Sequence, residues 1–193
     1  MAVRLPAARR RTQLLDTALE LFAERGYHST SMDDIADAAG VTKPVLYQHF
    51  TAKKALFVEL LDEVGRQLLE AIAAATQDAA GPREQVEAGL TAYFQFVADR
   101  HSAFVLLFGG GARRDEEFAE AVLSVERVIA DFVAPLIAAD IDEEHRRFLA
   151  HAVVGLAESA SRHWVAQGST EAPEIAARRV ADLAWAGLRA VHR

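Results

Sequence analysis

The sequence predicts an all-α protein of about nine helices, and three observations lead to that prediction. Alanine, leucine, glutamate and arginine are abundant among the 193 residues, and all four favour helices. No stretch alternates apolar and polar residues in the manner of a strand. Glycine and proline occur at sparse positions that divide the chain into segments of helical length. Since 51% of the residues are hydrophobic, a substantial core is possible.

Three short helices are predicted in the first 54 residues. The first is expected at about 9–25, where leucines and alanines recur at a spacing of three and four residues. The second begins after Ser31, because this N-cap type is followed three residues later by Asp34, a shortened capping box. The third begins at Thr42 and tolerates Pro44 in its first turn, where a missing N–H has no helical partner.

Six further helices are predicted in the rest of the chain. They are expected at about 53–76, 83–100, 102–108, 114–137, 142–167 and 173–191. Pro135 interrupts the fourth of them near its end. We therefore divide the chain into an N-terminal domain of residues 1–54 and a C-terminal domain of residues 55–193.

The second and third helices, with a turn centred on Gly40 and Val41, have the pattern of a helix-turn-helix. With Leu46 and Phe50 pointing inward, the remainder of the third helix faces outward and can reach base edges in the major groove of DNA. Lysine suits guanine, glutamine suits adenine, and a helix N-terminus suits a phosphate. The side chains predicted to contact DNA are Arg10, Arg11, Thr30, Ser31, Lys43, Pro44, Val45, Tyr47, Gln48, His49 and Lys53. The alternative is an ordinary three-helix corner with solvated charges.

The charge distribution favours the DNA interpretation, although the whole chain has a net charge of −7. Residues 1–54 carry 8 Lys and Arg against 6 Asp and Glu, a net charge of +2, whereas residues 55–193 carry 13 against 22, a net charge of −9. All three lysines of the chain lie at positions 43, 53 and 54. This asymmetry is typical of a basic module that faces a polyanion and is attached to an acidic body.

Several classes of protein are disfavoured by what the sequence lacks. There are no cysteines, which excludes disulfides and thiolate metal sites. The sequence has no H-E-x-x-H or G-x-S-x-G motif, and "GGGAR" lacks the Lys-Ser/Thr ending of a P-loop. We therefore expect no enzyme activity, no catalytic residues, no metal site and no cofactor. The absence of a signal peptide or a long apolar run predicts a cytoplasmic protein without a membrane partner.

Residues 12–57 resemble the N-terminal DNA-binding region of the TetR family of bacterial transcriptional regulators. The resemblance rests on "F-x-E-x-G-Y", "T-S-M-D-D-I-A", "A-G-V", "L-Y-x-H-F" and the lysine at position 53. It implies an all-α homodimer with nine helices per subunit and a C-terminal domain for effector binding and dimerisation. It also adds Thr42 to the predicted DNA contacts. Two-fold symmetry then predicts a palindromic operator in double-stranded DNA.

The C-terminal part carries a weaker resemblance. The segments "LTAYFQFVADRHSAFVLLF", "SRHWVAQG" and "LAWAGL" look similar to actinobacterial regulators of fatty-acid synthesis, whose effectors are long-chain acyl-CoAs. The function predicted first is a repressor that a small hydrophobic effector releases from its operator. An acyl-CoA-responsive regulator of lipid genes, acting as repressor or activator, is the alternative. A helical ligand-binding protein that never touches DNA is the rival from another class.

Two further sets of residues are predicted in this domain. Helical bundles often hold apolar ligands between their helices, although core packing is the usual role of buried aromatic residues. The residues predicted to bind the effector are Tyr93, Phe96, Phe104, Phe108, Phe132, Glu158, Arg162 and Trp164. The last two helices are expected to form a four-helix bundle with a second subunit. The residues predicted at this interface are Ala152, Gly155, Ala160, Val180, Leu183, Ala184 and Leu188, and packing within one chain is the alternative.

Overall fold

A computed structural model describes residues 6–191, apart from the side chain at position 113. Residues 1–5 and 192–193 of the two predicted domains lie outside this description. The described chain is helical throughout, which confirms the predicted all-α class. Its α-helices are α1 (Ala7–Arg25), α2 (Met32–Ala38), α3 (Lys43–His49), α4 (Lys53–Thr76), α5 (Pro82–Asp99), α6 (His101–Phe108), α7 (Gly111–Arg114), α8 (Ala119–Val133), α9 (Glu143–Ala166) and α10 (Pro173–Leu188).

The helix predicted at 114–137 differs most from the structure. It begins at Ala119, because Asp115 has an extended backbone and its carboxylate accepts a hydrogen bond from the N–H of Glu117. It passes into a 3-10 turn at Ala134–Leu136, since Pro135 has no N–H with which to continue an α-helix. The glycine-rich segment before it, predicted as a turn, contains the four-residue helix α7.

The first three helices form the compact head that the sequence predicts. In α1 the side chains of Leu14, Ala18 and Phe22 are buried, as their spacing requires. The predicted capping box is present: the Ser31 hydroxyl accepts from the Asp34 N–H, and the Asp34 carboxylate accepts from the Ser31 N–H. The turn between α2 and α3 needs the left-handed conformation of Gly40, whose φ is 64°.

Helix α4 joins this head to the body. Its N-terminal end lies beside α1, and the rest packs against α5 and α8. The body is built around α5, which contacts α4 on one side and α10 on the other. Phe94 of α5 and Leu68 of α4 are among the most deeply buried side chains. At Gly65 the backbone of α4 approaches Val125 of α8 so closely that an added Cβ would lie 2.6 Å from Val125 Cγ1.

None of the helices within residues 6–191 combines the length and the apolar character that a membrane span requires.

Candidate functional site

The exposed face of α3 is formed by Lys43, Pro44, Tyr47 and Gln48. These positions follow the i, i+1, i+4, i+5 spacing, so the four side chains lie on one side of the helix. The opposite side holds Leu46, which is fully buried. Tyr47 is 43% exposed. The structure therefore presents to solvent the face of the helix that the sequence analysis assigned to DNA.

The neighbouring predicted contacts are less accessible or lie at the ends of helices. Thr42 is exposed at the N-cap of α3, and its hydroxyl accepts no capping hydrogen bond from the first N–H groups of the helix. Val45 and His49 are half-buried. Ser31 is exposed at the N-cap of α2, where its hydroxyl and backbone N–H hold the pKa of Asp34 below its usual range.

Lys43 has an acidic partner within the head. Its Nζ lies 2.8 Å from Oδ1 of Asp33 on α2, and this hydrogen-bonded pairing raises the pKa of Lys43 above its usual value. Both side chains are more than half exposed, so the pair contributes little to stability. The pair orients the ammonium of Lys43. Because both side chains are exposed, exchanging Asp33 for a phosphate as the partner of Lys43 costs little.

Lys53, at the start of α4, is held by the connection between α1 and α2. Its ammonium donates to the carbonyl oxygens of Tyr27 and Thr30, both at 2.9 Å, and lies 4.2 Å from the centre of the Tyr27 ring. An ammonium has three N–H donors. Two of these donors go to carbonyl oxygens of its own chain and the ammonium also lies against the Tyr27 ring, so the contact of Lys53 with a phosphate stays a prediction.

The prediction for Thr30 is wrong as far as its side chain is concerned. This side chain is only 1% exposed, and its hydroxyl donates to the Gly26 carbonyl oxygen at 2.9 Å. Its backbone N–H donates to the Tyr27 carbonyl oxygen at 3.3 Å. Thr30 closes the turn after α1 and presents no free donor to a phosphate.

Arg10 and Arg11, which are predicted to contact DNA, contact their own chain. Arg10 donates to Gln13 Oε1 at 2.7 Å and is half-buried. The guanidinium of Arg11 lies 4.5 Å from the centre of the Phe50 ring, donates to the His49 carbonyl oxygen at 2.8 Å, and forms an ion pair with Glu59 of α4. Arg11 therefore joins the ends of α1 and α3 to α4, a role that the sequence analysis missed because its partners are 38 and 48 residues away.

The body contains a cavity of about 150 Å³. Apolar side chains from α4, α5, α8, α9 and α10 and from the segment after α8 form most of its wall. The lining residues are Ile72, Thr76, Pro82, Gln85, Val86, Gly89, Leu90, Tyr93, Phe108, Ile129, Val133, Leu136, Ile137, Ala138, Ala139, Val153, Val154, Ala157, Glu158, Trp185, Leu188 and Arg189. A wall of this composition suits an apolar ligand with few polar groups.

Tyr93, Phe108 and Glu158 line this cavity, as predicted. Glu158 is only 5% exposed and forms an ion pair with Arg162 one helical turn later. The Tyr93 hydroxyl lies 3.0 Å from the Ser161 hydroxyl. Burial raises the pKa of Tyr93 above its usual value, and the nearby charge of Glu158 adds to that effect while the Ser161 hydrogen bond opposes it. Both polar side chains therefore belong to the buried part of the site.

The other five predicted effector residues do not line the cavity. The predicted residues that are absent from the cavity wall are Phe96, Phe104, Phe132, Arg162 and Trp164. Phe96 lies one turn beyond Tyr93, Phe104 lies one turn before Phe108 with ring centroids 5.7 Å apart, and Phe132 is rotated away from the lining residue Val133.

Arg162 and Trp164 lie outside the cavity wall because their side chains make other contacts. Arg162 is exposed and approaches Glu158 from the solvent side of α9. The Trp164 ring packs against Phe94 at 5.9 Å, and its Nε1 donates to the Glu171 carbonyl oxygen at 3.2 Å.

The outward faces of α9 and α10 carry only part of the predicted subunit interface. Ala152 and Gly155 are exposed, and Leu183 is 62% exposed, a high value for a leucine. Phe148 and Ile175, which the sequence analysis did not name, are also exposed on the same two helices.

The other four predicted interface residues are more buried within their own chain than Ala152, Gly155 and Leu183. Val180 and Ala184 are buried, because they lie on the same stripe of α10 as Ala177 and Ala181. Leu188 is half-buried and lines the cavity, and Ala160 is half-buried against the core. The burial of Val180 and Ala184 favours the alternative of packing within one chain.

A contact between head and body was also missed by the sequence analysis. The Phe118 ring lies 4.5 Å from the Tyr27 ring and 4.4 Å from the Phe57 ring. His28 Nε2 lies 2.7 Å from Asp115 Oδ2. The hydrogen bond from the Glu117 N–H, and after it the contact with His28, lowers the pKa of Asp115. The segment between α6, which ends at the cavity, and α8 therefore touches the head directly.

A helix-turn-helix with an exposed second helix, joined by one long helix to a body that contains an apolar cavity, defines the class: a helix-turn-helix transcriptional regulator. The comparisons with known proteins name the family. Residues 14–60 match the bacterial regulatory proteins of the tetR family, and residues 82–187 match the tetracyclin repressor-like C-terminal domain. The chain therefore belongs to the TetR family of transcriptional regulators, as the sequence analysis inferred.

Several relatives are similar over much of the chain. The HTH-type transcriptional activator FasR of Mycolicibacterium smegmatis is 34% identical over 187 residues, which is 96% of this chain and 85% of FasR. The HTH-type transcriptional repressor KstR2 of Rhodococcus jostii is 38% identical over 101 residues, about half of each chain. A TetR-like regulator from Rhodococcus sp. RHA1 has a TM-score of 0.79 at 32% identity, covering 97% of this chain and all of that one.

The fold also matches a structure with a bound lipid. The regulator FadR from Bacillus subtilis, in complex with stearoyl-CoA, has a TM-score of 0.79 over 90% of this chain and 96% of its own. Its sequence identity is 19%, so this likeness concerns the fold.

Proposed function

We propose that this regulator binds a palindromic DNA operator as a homodimer, through α3, and that an apolar effector in the cavity weakens this binding. The observation that carries the proposal is the exposed face of α3. Lysine, tyrosine and glutamine occupy solvent-facing positions on a helix whose other side is fully buried. Such a face fits the major groove, where the lysine and glutamine supply contacts to bases or phosphates. Since its target is chromosomal DNA, the regulator works in the cytoplasm.

The outer faces of α9 and α10 support the homodimer. Regulators of this family bind DNA and dimerise. Phe148 is 71% exposed, and beside it Ala152 and Gly155 leave open space into which a second helix fits. Leu183 and Ile175 supply exposed apolar surface on α10. A two-fold axis through this surface relates two copies of α3 to each other, which is the symmetry of a palindromic operator.

Effector control follows from the elements that the head and the cavity share. Ile72 and Thr76 of α4 line the cavity, while Lys53 at the other end of α4 lies in the head. A ligand that prefers a different position of α4 changes the spacing of the two α3 helices and hence operator affinity. Coupling of this kind is typically about 1–3 kcal/mol.

We propose a fatty acyl compound as the effector and genes of lipid metabolism as the targets. The apolar wall supports an aliphatic ligand, and the fold shared with FadR, whose structure contains stearoyl-CoA, supports a fatty acyl compound. Repression released by the effector is the mode we propose. Activation is the second candidate, because FasR is an activator. An in vitro transcription reaction with and without the protein separates the two modes.

The test begins with selection of bound duplexes from a random-sequence library. We expect a two-fold symmetric consensus, and fluorescence anisotropy on that duplex should report weaker binding when dodecanoyl-CoA is added. Lys43→Ala should weaken binding, whereas Arg127→Ala, which removes one exposed positive charge from the body, should not. Recovery of no enriched sequence, together with ligand binding, would instead indicate a helical ligand carrier.

The dimer is tested separately with Leu183→Asp. Placing a charge on this exposed leucine should shift the sedimentation coefficient from that of a dimer to that of a monomer and leave the circular dichroism spectrum unchanged. A spectrum and a sedimentation coefficient that both stay the same would place the subunit interface elsewhere.

A further inference from the structure

Aromatic rings close the inner end of the cavity. Tyr93 of α5 and Phe108 of α6 line the cavity, and their ring centroids are 6.2 Å apart. The Phe104 ring, which is not part of the wall, lies 5.7 Å from Phe108 on the same helix. The Tyr93 hydroxyl lies 3.0 Å from the Ser161 hydroxyl of α9, a contact that holds the ring between two helices. Tyr93 and Phe108 therefore form an aromatic stop at this end.

The polar groups beside the aromatic stop already have partners within the protein. The Glu158 carboxylate forms an ion pair with Arg162 one helical turn later. The Tyr93 hydroxyl is in contact with Ser161, whose own hydroxyl donates to the Glu158 carbonyl oxygen at 3.0 Å. The methyl end of an aliphatic chain can therefore lie against the stop without leaving a buried polar group unpaired.

The opposite end of the cavity is open and polar. Pro82, Ala138 and Arg189 are the exposed members of the lining, so the mouth lies among them. Gln85, about one turn after Pro82, is half-buried in the same wall. Within residues 6–191 the side chains of Gln85 and Arg189 have no hydrogen-bond or ion-pair partner. A guanidinium and an amide are therefore available to an anionic group at the mouth.

Helices α5 and α10 run antiparallel, which brings Arg189 to the N-terminal end of α5. The two helices pack against each other. Arg83, in the first turn of α5, has its Nη2 4.0 Å from Asp182 Oδ1 in the second half of α10. Val97, in the last turn of α5, instead shares a surface pocket with Pro173 at the start of α10. The cavity therefore runs along α5 from a mouth at its N-terminal end to the aromatic stop.

The length of the cavity follows from the residues of α5 that line it. From Pro82 at the mouth to Tyr93 at the stop, α5 rises roughly 16 Å at about 1.5 Å per residue. A saturated chain with bonds of about 1.5 Å and angles near 111° advances about 1.25 Å per carbon. An extended chain of about twelve carbons therefore spans the distance from the mouth to the stop.

Given the proposed function, on which this step rests, we infer that the aromatic stop sets the length of the acyl chain that the regulator accepts, with the anionic end of the chain at Arg189. Each methylene group that enters the cavity raises the affinity roughly fourfold, because it leaves water. This gain ends where the chain meets Tyr93 and Phe108. A longer chain must either keep its extra carbons in water or move its charged end away from Arg189.

A series of fatty acids tests this inference by isothermal titration calorimetry of the full-length protein. The probes are decanoate, dodecanoate, tetradecanoate and hexadecanoate, each below its critical micelle concentration. We expect dodecanoate to bind roughly tenfold more tightly than decanoate, since two more methylene groups are buried. Tetradecanoate and hexadecanoate should bind within about twofold of dodecanoate, because their extra carbons bury no further surface.

Variants of the aromatic stop move this break in the affinity series. Tyr93→Ala and Phe108→Ala each remove a ring, so tetradecanoate should bind each variant roughly tenfold more tightly than dodecanoate does. Tyr93→Phe, which has the ring without the hydroxyl, should restore the break at dodecanoate. Phe96→Ala is the matched control, since it removes a ring from α5 outside the wall and should keep the wild-type series. Circular dichroism shows whether each variant is folded.

Arg189→Gln tests the position of the charged end. Wild type should bind dodecanoate about two- to fivefold more tightly than dodecan-1-ol, as expected for a solvent-exposed ion pair. Arg189→Gln should bind the two compounds equally and keep the break in the series. Arg178→Gln is the matched control, because Arg178 is an exposed arginine of α10 outside the wall. It should keep the preference for dodecanoate.

The outcomes separate this inference from the proposed function. A wild-type affinity that keeps rising about tenfold for every two carbons up to hexadecanoate overturns the inference. A break that stays at dodecanoate in folded Tyr93→Ala and Phe108→Ala also overturns it, as does an unchanged preference for dodecanoate in folded Arg189→Gln. Failure of all four fatty acids to bind has the same consequence. Selection of a palindromic duplex by the same preparation would in each case leave the proposed binding of DNA standing. A protein that shows the break and selects no duplex would reject the proposed function alone.

Discussion

Gly65 is the position where one methyl group most directly tests the packing of α4 against the body. The site lies on the helix that connects the head to the cavity, and its neighbour across the interface is Val125 of α8. A Cβ at Gly65 would lie 2.6 Å from Val125 Cγ1, which is 0.8 Å inside the 3.4 Å where ordinary van der Waals contact begins. Gly65→Ala therefore pushes α4 and α8 apart.

The expected magnitude is the difference of two effects. Overpacking a close contact typically costs about 1–3 kcal/mol, since a β-branched valine has little freedom to move. Replacing a glycine inside a helix with alanine returns about 0.5–1 kcal/mol. We therefore expect Gly65→Ala to lower the free energy of unfolding by up to about 2.5 kcal/mol. For a chain of this length, each kcal/mol corresponds to a decrease in Tm of about 2–4 °C.

A double-mutant cycle with Val125→Ala separates the clash from other effects. Urea unfolding of the single variants and of Gly65→Ala/Val125→Ala should show that the two losses are not additive, with a coupling of at least about 1 kcal/mol, because the new methyl group fills the space that the valine leaves. Gly187→Ala, at a helical glycine with nothing within 4 Å, is the control and should become slightly more stable. Additive losses, or a Gly65→Ala protein as stable as the control, would refute the close approach of α4 and α8.

Three other predictions concern the head. Ser31→Ala removes the N-cap of α2 and should lower the free energy of unfolding by about 1 kcal/mol in urea titrations; an unchanged midpoint would contradict the capping box. The Ser31 hydroxyl and N–H lower the pKa of Asp34 in the folded protein. The stabilisation by the Asp34 carboxylate is therefore present above its unfolded pKa of about 3.9 and is lost as the pH falls through the lower folded value. The stability advantage of wild type over Asp34→Asn in urea titrations should shrink between about pH 5 and pH 3. Lys53→Met leaves two carbonyl oxygens without their charged donor and should cost about 1–2 kcal/mol, whereas Lys54→Met, at an exposed ion pair, should cost less than about 1 kcal/mol. Equal thermal stability of the two lysine variants would argue against the loop contact of Lys53.

Features that depend on residues close in sequence were predictable. The capping box of α2 needs only Ser31 and Asp34, three residues apart, and the burial of Leu46 and Phe50 follows from their spacing of four. The change to a 3-10 turn at Pro135 follows from the missing N–H of one residue. Local chemistry therefore identified the head and most helix boundaries.

Features that depend on how helices rotate against one another were not predictable. Tyr93 and Phe96 are both apolar and three residues apart on α5, so the pattern alone could not decide that only Tyr93 reaches the cavity. The same holds for Val180 and Ala184, which face the chain's own core although their residue types also suit a subunit interface.

Contacts between distant segments lay beyond the pattern for a different reason. Arg11 lies in a run of arginines that suits DNA, yet its guanidinium contacts Phe50, His49 and Glu59, which become its neighbours only when α1, α3 and α4 assemble. Contacts of this kind leave no spacing signature in a single sequence.

The central claim is that the exposed face of α3 reads duplex DNA, and the most direct measurement is the salt dependence of binding to a selected duplex. Fluorescence anisotropy should show that Lys43→Ala weakens binding to all sequences and reduces the slope of log K against log salt by about 0.9 for each lost phosphate contact. Gln48→Ala should instead relax the preference at one base pair of each half-site. If both variants match the wild type in affinity, salt slope and base preference, α3 is not the surface that reads DNA.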